Sequence, residues 1–177
     1  MIVFDTETTG LVGPLSLPLD KQPRLIEFAA LKLDDDLNII GSLEFLCNPG
    51  IKLPKIITKI TGLTDAILEH ELPFDRHYDT LKQFFTGEDE VVAHNVLFDV
   101  TILSFELKRI GKEDDFPMPI NKKCTVKSSM PIAGYRLKLA DLYFRLCGEK
   151  IKEAHRAMND VNALFECVKV MRNKKMI

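Results

Sequence analysis

The sequence has little of three features that would place it in a special class: long apolar runs, closely spaced cysteines and an excess of one charge. Its longest apolar stretches, such as residues 26–33, already contain charged residues and are far shorter than the roughly 20 residues that span a bilayer. The first five residues include an acid and no basic residue, so we expect no secretory signal. These absences predict a cytoplasmic protein with no membrane partner.

The cysteines and charges point to an ordinary globular protein. The cysteines at positions 47, 124, 147 and 167 form no CxxC pair, so we expect reduced thiols that pack as small hydrophobic residues. The net charge is −2, whereas proteins that attract phosphate backbones over long distances are usually strongly basic. Any nucleic acid must therefore be bound at a local site. With 177 residues, 46% of them hydrophobic, we expect one domain over residues 1–177.

The pattern of apolar residues and turn signals predicts a mixed α/β domain. A short apolar strand precedes a proline-bearing loop over residues 12–23, and two further strands joined by an acidic turn follow it. Helix and strand segments then alternate, which favours a sheet covered by helices. The predicted strands are residues 2–4, 24–33, 37–47, 90–93 and 123–126, and the predicted helices are residues 54–60, 74–85, 97–109, 138–147 and 157–171.

Two acidic residues, Asp5 and Glu7, directly follow the first apolar strand. Residues two apart in an extended strand point to the same face, so both carboxylates should project together beside the core. At 4 Å two such charges repel by roughly 4 kcal/mol where the effective dielectric constant is about 20, and a shared cation relieves that repulsion. A polar strand end in contact with water is the alternative interpretation.

A second group of polar residues follows the apolar segment 91–93. Asp99 lies near the start of a predicted helix, where the helix dipole favours an ionised carboxylate. A helix-starting acid without further function would look the same. His94 and Asn95 mark the turn, and for both we favour hydrogen bonding to the loop backbone over direct catalysis.

His155 and Asp160 lie five residues apart near the start of the last predicted helix. Neighbours on one helical face are three or four residues apart. The two side chains can therefore meet only if His155 precedes a helix that begins near Arg156 or Ala157. A surface histidine before a helix is the alternative.

Taken in order, these segments resemble the three motifs of the DEDD-type 3′–5′ exonuclease superfamily. The matching sequences are Asp5-x-Glu7-Thr8-Thr9-Gly10-Leu11, His94-Asn95-x-x-Phe98-Asp99 and Ala154-His155-x-Ala157-x-x-Asp160. A histidine five places before the last aspartate is typical of the DEDDh branch, which includes proofreading epsilon subunits of bacterial polymerases. The resemblance spans residues 2 to about 170 and implies a ribonuclease-H-like mixed five-stranded sheet flanked by helices.

The resemblance also implies a role for each motif residue. Asp5, Glu7, Asp99 and Asp160 would hold two Mg²⁺ or Mn²⁺ ions, with Asp5 bridging both. Glu7 and Asp160 would bind the catalytic ion, and Asp99 would act on the second through water. His155 would be the general base, since its usual pKa near 6.5 suits neutral pH. A fourth match, Ile60-Thr61-Gly62-Leu63, adds to the implied substrate-binding residues, which are Thr8, Gly10, Leu11, Ile60, His94, Asn95 and Phe98. Core packing is the alternative for Leu11, Ile60 and Phe98.

The implied reaction releases nucleoside 5′-monophosphates from a single-stranded or frayed nucleic-acid 3′ end. We favour DNA, because the chain has no RNA-binding domain of its own. An exoribonuclease and a non-catalytic end-binding subunit remain the alternatives. The proline-bearing loop over residues 12–23 is roomier than the tightest relatives of this family need. The sequence also ends soon after the last helix, without the tail by which some proofreading subunits hold their polymerase, so a DNA polymerase partner stays open.

Overall fold

A mixed five-stranded sheet forms the centre of the structure, a computed structural model that describes residues 1–151 and 155–177. The spatial order of the strands is β3-β2-β1-β4-β5. β1 pairs antiparallel with β2, β2 pairs antiparallel with β3, and β1, β4 and β5 run parallel. The strand bounds are β1 Ile2–Thr8, β2 Leu25–Leu33, β3 Ile39–Leu46, β4 Glu90–Ala93 and β5 Asn121–Cys124.

Helices follow the strands and cover both faces of the sheet. In the described ranges the α-helices are α1 Lys55–Thr61, α2 Asp65–Leu68, α3 Tyr78–Phe85, α4 Val96–Arg109, α5 Thr125–Ala133, α6 Leu139–Cys147 and α7 Ala157–Asn173, with 3₁₀ turns at Leu19–Lys21 and Phe74–Arg76. None of the helices that the structure describes is long and apolar enough to cross a membrane. All four cysteines lie in the described ranges as free thiols.

Side chains on the two faces of the sheet form two separate hydrophobic clusters. On β1, Phe4 belongs to the cluster beneath α3 and α4, and its ring centroid lies 6.1 Å from those of both Phe28 and Phe85. Val3 points to the opposite face, as the two-residue period of a strand requires, and belongs to the cluster of α7. On α7, buried Ala157, Val161, Leu164 and Val168 recur at helical spacing along that face.

Most predicted elements are confirmed, and the differences have local causes. The first strand continues beyond Phe4 to Thr8, because β2 pairs with it along its whole length. The predicted helix 74–85 is divided into a 3₁₀ turn and α3. The short helix α2 escaped prediction. It begins where the Thr64 side chain accepts a hydrogen bond from the Ile67 N–H.

The predicted strand over residues 123–126 is wrong in its second half. β5 ends at Cys124, and Thr125 begins α5, a helix that the pattern did not predict. Pro131 lies inside α5 and lacks the N–H that a helix interior uses, which obscured the helical pattern. The helix ends at Ala133, and the next residue, Gly134, has a φ of 75°, which favours glycine.

Candidate active site

Strand β1 carries Asp5 and Glu7 on the sheet face that α7 covers. Both residues continue the alternation of Val3, which packs against α7. Glu7 lies directly opposite Glu27 in the register of β1 and β2. Asp5 and Glu7 are only partly exposed, so a fully exposed polar strand end does not describe them.

Asp99 reaches this group because β4 is shorter than β1. The β1–β4 ladder contains only the pairs of Ile2 with Val91 and Val3 with Val92. Beyond it, the Thr6 backbone N–H and hydroxyl both donate to Oδ1 of Asp99, at 3.1 and 2.7 Å. Asp99 and Thr6 are both buried. The start of α4 is therefore tied to the strand that carries Asp5 and Glu7.

Asp160 and His155 enter the site from the start of α7. Asp160 lies in the first turn of that helix, and His155 precedes it, with a φ of 70°. The His155 backbone N–H donates to Oδ2 of Asp160 at 3.0 Å. Potential ligand atoms of Glu7, His155 and Asp160 all lie within 4.8 Å of one another. The expected arrangement, with the histidine on the loop before the helix, is confirmed, and Ala154 of the same motif lies outside the described residues.

These side chains line one cavity of about 450 Å³. The cavity opens between the end of β1, the start of α4, the start of α6 and the start of α7. Its lining residues are Asp5, Thr6, Glu7, His94, Phe98, Asp99, Lys138, Leu139, Ala140, Ile151, His155 and Asp160. All five predicted catalytic residues therefore meet around one space.

Burial, and for some of them repulsion by neighbouring acids, disfavours the ionised carboxylates of the cavity. Burial, followed by the charges of Asp99 and Glu7, raises the pKa of Asp5 well above its usual value. Burial, followed by Asp160 and Glu27, raises the pKa of Glu7 to about 8. Burial raises the pKa of Asp99 to about 7, although hydrogen bonds from Thr6 oppose the rise. Burial also raises the pKa of Asp160, opposed by the His155 N–H.

This donor set suits a hard divalent cation. Mg²⁺ and similar ions take oxygen ligands and tolerate a few carboxylates completed by water or phosphate oxygens. A cation among Asp5, Glu7, Asp99 and Asp160 would favour their ionised forms. It would offset the burial that raises all four pKa values and the repulsion that further raises those of Asp5 and Glu7. The chemistry of these side chains therefore fits a bound metal.

His94 and Asn95 hold a loop at the edge of the cavity. His94 Nδ1 is 2.9 Å from the Thr125 hydroxyl oxygen and Nε2 is 3.0 Å from the Leu137 carbonyl oxygen. Asn95 has a φ of 78°, and its Oδ1 accepts a hydrogen bond from Arg136 at 3.1 Å. His94 thus binds the loop backbone, as we favoured, whereas the Asn95 side chain binds the side chain of a loop residue. For both, contact with a substrate remains a prediction.

The remaining predicted substrate-binding residues lie near the end of β1 or on other surfaces. The Thr8 hydroxyl donates to the Gly10 carbonyl at 2.6 Å and so shapes the turn after β1. Leu11 is 86% exposed and Ile60 is 44% exposed, so the core-packing alternative is wrong for both. Phe98 packs partly against the core and also lines the cavity.

Sequence reasoning missed Thr6, Glu27 and Arg156. Arg156 donates from Nε and Nη2 to Oε1 of Glu27, at 3.1 and 3.0 Å. Glu27 is 5% exposed although it carries a charge. A single acid between apolar residues of a predicted strand, Ile26-Glu27-Phe28, was the available signal, because such an acid needs a partner when buried.

Comparison with known proteins identifies relatives along nearly the whole chain. The model of the RNase_T family, described as exonuclease, matches residues 2–168. The DNA polymerase III subunit epsilon of Treponema pallidum is 30% identical over 171 residues, covering 95% of this chain and 74% of the relative. A PolC-type DNA polymerase III of Clostridium perfringens is 30% identical over 176 residues, but this chain matches only 11% of its length.

Solved structures share the fold. The zinc-bound complex of E. coli ExoI with single-stranded DNA has a TM-score of 0.80 at 20% identity, over 98% of this chain and 40% of that one. Exonuclease X in complex with 5′-overhanging duplex DNA has a TM-score of 0.69 at 19% identity, over 98% and 92%. The nuclease domain of 3′hExo, a DEDDh family member bound to rAMP, gives 0.71 at 16%, over the same shares. The ribonuclease-H-like fold is thereby confirmed.

Proposed function

The chain belongs to the RNase_T exonuclease family, and from this premise we propose that it is a 3′–5′ exonuclease of the DEDDh type. We propose that it trims DNA 3′ ends and releases nucleoside 5′-monophosphates with two Mg²⁺ or Mn²⁺ ions. The observation that carries the proposal is the convergence of Asp5, Glu7, Asp99, His155 and Asp160 on one cavity. Enzymes of this family use divalent metal ions. The choice of metal, the substrate and the product belong to the proposal.

The roles that the family resemblance implies for the carboxylates are compatible with their positions. Asp5 lies among the other acids and would serve both ions. Glu7 and Asp160 would bind the catalytic ion, since their potential ligand atoms and that of His155 lie within 4.8 Å of one another. Thr6 donates twice to one oxygen of Asp99, which suits a more distant role toward the second ion through water. When bound, the two cations would neutralise charge on the attacking and departing oxygens.

His155 is proposed to accept the proton of the attacking water. Its backbone N–H is committed to Asp160, which fixes the backbone of the residue beside the cavity while its imidazole remains exposed. A neutral imidazole is an effective proton acceptor near pH 7. Apolar Leu11 and Ile60, both exposed, are proposed to contact the terminal base, with Phe98 near its sugar.

The names of the relatives favour DNA over RNA. DNA polymerase III chains, both epsilon and PolC-type, are among the matches at 30% identity. We therefore propose a DNA polymerase as partner, a single exonuclease domain over residues 1–177 and a cytoplasmic location, which the four free thiols favour.

The test compares three 5′-labelled substrates: single-stranded DNA, duplex DNA with a mismatched 3′ end, and RNA. Each is incubated with Mg²⁺, Mn²⁺ or EDTA, and Asp5→Asn serves as the control for contaminating nucleases. We expect a descending ladder from both DNA substrates with either metal, and none with EDTA or with the variant. Faster degradation of RNA than of DNA would replace the DNA proposal with an exoribonuclease. Binding of DNA ends without hydrolysis under any condition would show a non-catalytic subunit.

A further inference from the structure

We propose that the ion pair between Glu27 and Arg156 is a positioning device that holds His155 over the metal ligands, an inference that rests on the proposed function. Glu27 belongs to β2 and lies opposite Glu7, so it is anchored in the same rigid sheet as the catalytic carboxylates. Arg156 lies between His155 and the first residue of α7. The pair thus connects the sheet to the segment that carries the proton acceptor.

The contacts of Glu27 involve both of its carboxylate oxygens. Oε1 accepts from Arg156 Nε and Nη2, at 3.1 and 3.0 Å. Oε2 accepts from the Ala157 backbone N–H at 3.2 Å. The Glu27 side chain is 7% exposed. A carboxylate whose oxygens are both occupied in this way is suited to holding a helix start, where free N–H groups need acceptors, rather than to binding an ion.

Residues 155–157 are held by contacts with α7 and with β2. The His155 N–H is bound by Asp160, and the next two residues, Arg156 and Ala157, are bound by Glu27. His155 has a φ of 70°, in the left-handed region that few residues other than glycine adopt, although histidine is one of the more tolerant types. We infer that these contacts together keep the backbone of His155 in this conformation. Without Glu27, the imidazole should sample positions from which it cannot reach the water.

The charges are also matched to the site. Glu27 adds a negative charge beside Glu7, and the positive charge of Arg156 offsets it. A bound cation then has to balance only the charges of the metal ligands. Burial raises the pKa of Glu7, and Arg156 acts against that rise. An uncharged pair could hold the helix, but a single charged partner without the other would leave an unpaired charge beside the metal ligands.

The variants Glu27→Ala and Arg156→Ala test the proposal. Each should lower kcat by roughly 10- to 100-fold, the range for a catalytic group displaced by about 1 Å, while KM for the oligonucleotide stays close to wild type and Mn²⁺ still stabilises the protein. Glu27→Gln, whose amide oxygen can still accept the Ala157 N–H, should recover part of the loss. The matched control is Glu106→Ala, which removes another buried glutamate that is paired with an arginine and accepts a β2 backbone N–H. It should lower stability and leave kcat of the folded protein unchanged.

Epistasis with His155 separates positioning from general structural support. In a His155→Ala background, Glu27→Ala should cause no further loss of kcat, since there is no imidazole left to place. An equal loss in both backgrounds would overturn the proposal, and loss of Mn²⁺ binding in Glu27→Ala would make Glu27 a metal ligand instead. If Glu27→Ala fails to fold, Glu27→Gln and Arg156→Lys carry the same comparison.

Hydrogen exchange distinguishes failure of this inference from failure of the proposed function. Peptides spanning residues 155–160 should exchange faster in folded Glu27→Ala than in wild type, whether or not any substrate is hydrolysed. Unchanged exchange would refute the positioning role. Faster exchange in an enzyme that hydrolyses no nucleic acid would refute the proposed function alone.

Discussion

The metal-free protein should lose stability as the pH rises from about 4.5 to about 8, because without a cation the native state disfavours the ionised form of Glu7. Burial, followed by Asp160 and Glu27, raises the pKa of Glu7 from 4.5 to about 8. Between these values the native state keeps a proton that the unfolded chain has released, so the free energy of unfolding falls with rising pH. At roughly 1.4 kcal/mol per pH unit the effect is at most about 5 kcal/mol, and contact of Glu7 with water reduces it.

Urea unfolding in EDTA at pH 5 and pH 8.5 measures this effect. We expect wild type to lose about 2–4 kcal/mol between the two conditions, while Glu7→Gln loses clearly less and is the more stable protein at pH 8.5. Glu149→Gln, at an exposed position, should behave as wild type. Mn²⁺ at a hundred times its Kd should add about 2.7 kcal/mol to wild type and little to Glu7→Gln. An unchanged pH dependence in Glu7→Gln would refute the electrostatic account of the site.

Three further predictions concern other members of the site. Asp5→Ala should abolish hydrolysis and leave a folded protein, as judged by circular dichroism and single-turnover assays; near wild-type activity would rule out Asp5 as a metal ligand. His155→Gln should lower kcat by roughly 10²–10⁴ while Mn²⁺ still stabilises the protein, and wild-type log kcat should rise with pH and then level off. Stronger loss of metal binding than of turnover would make His155 a ligand. Thr6→Val should cost about 1–3 kcal/mol in urea unfolding, since Asp99 loses its hydroxyl donor, and Thr6→Ser should restore most of it.

The sequence predicts the part of the site that depends on local spacing. Asp5 and Glu7 lie on one strand face because side chains alternate along a strand, and the apolar residues before them identify that strand. The position of His155 also follows from spacing. Residues five apart do not share one helical face, so His155 can meet Asp160 only from the loop before the helix. In both cases the relevant geometry lies within a few residues of the chain.

Contacts that join distant segments escaped prediction. Thr6 meets Asp99 across 93 residues, and Arg156 meets Glu27 across 129. Their geometry depends on the register of β1 with β2 and on the early end of β4, which no local pattern contains. The helix over residues 125–133 was not predicted for another reason. Pro131 disfavours a helix by propensity, and tertiary packing overrides that preference.

The polarity of digestion tests the central claim most directly. A 5′-labelled single-stranded DNA, the same strand with a 3′-phosphate and a closed circular single strand are each incubated with the protein and Mg²⁺. The account predicts a descending ladder from the first substrate, a block by the 3′-phosphate and an intact circle, with every product dependent on Asp5. Cuts in the circle, or digestion that proceeds from the 5′ end, would contradict it.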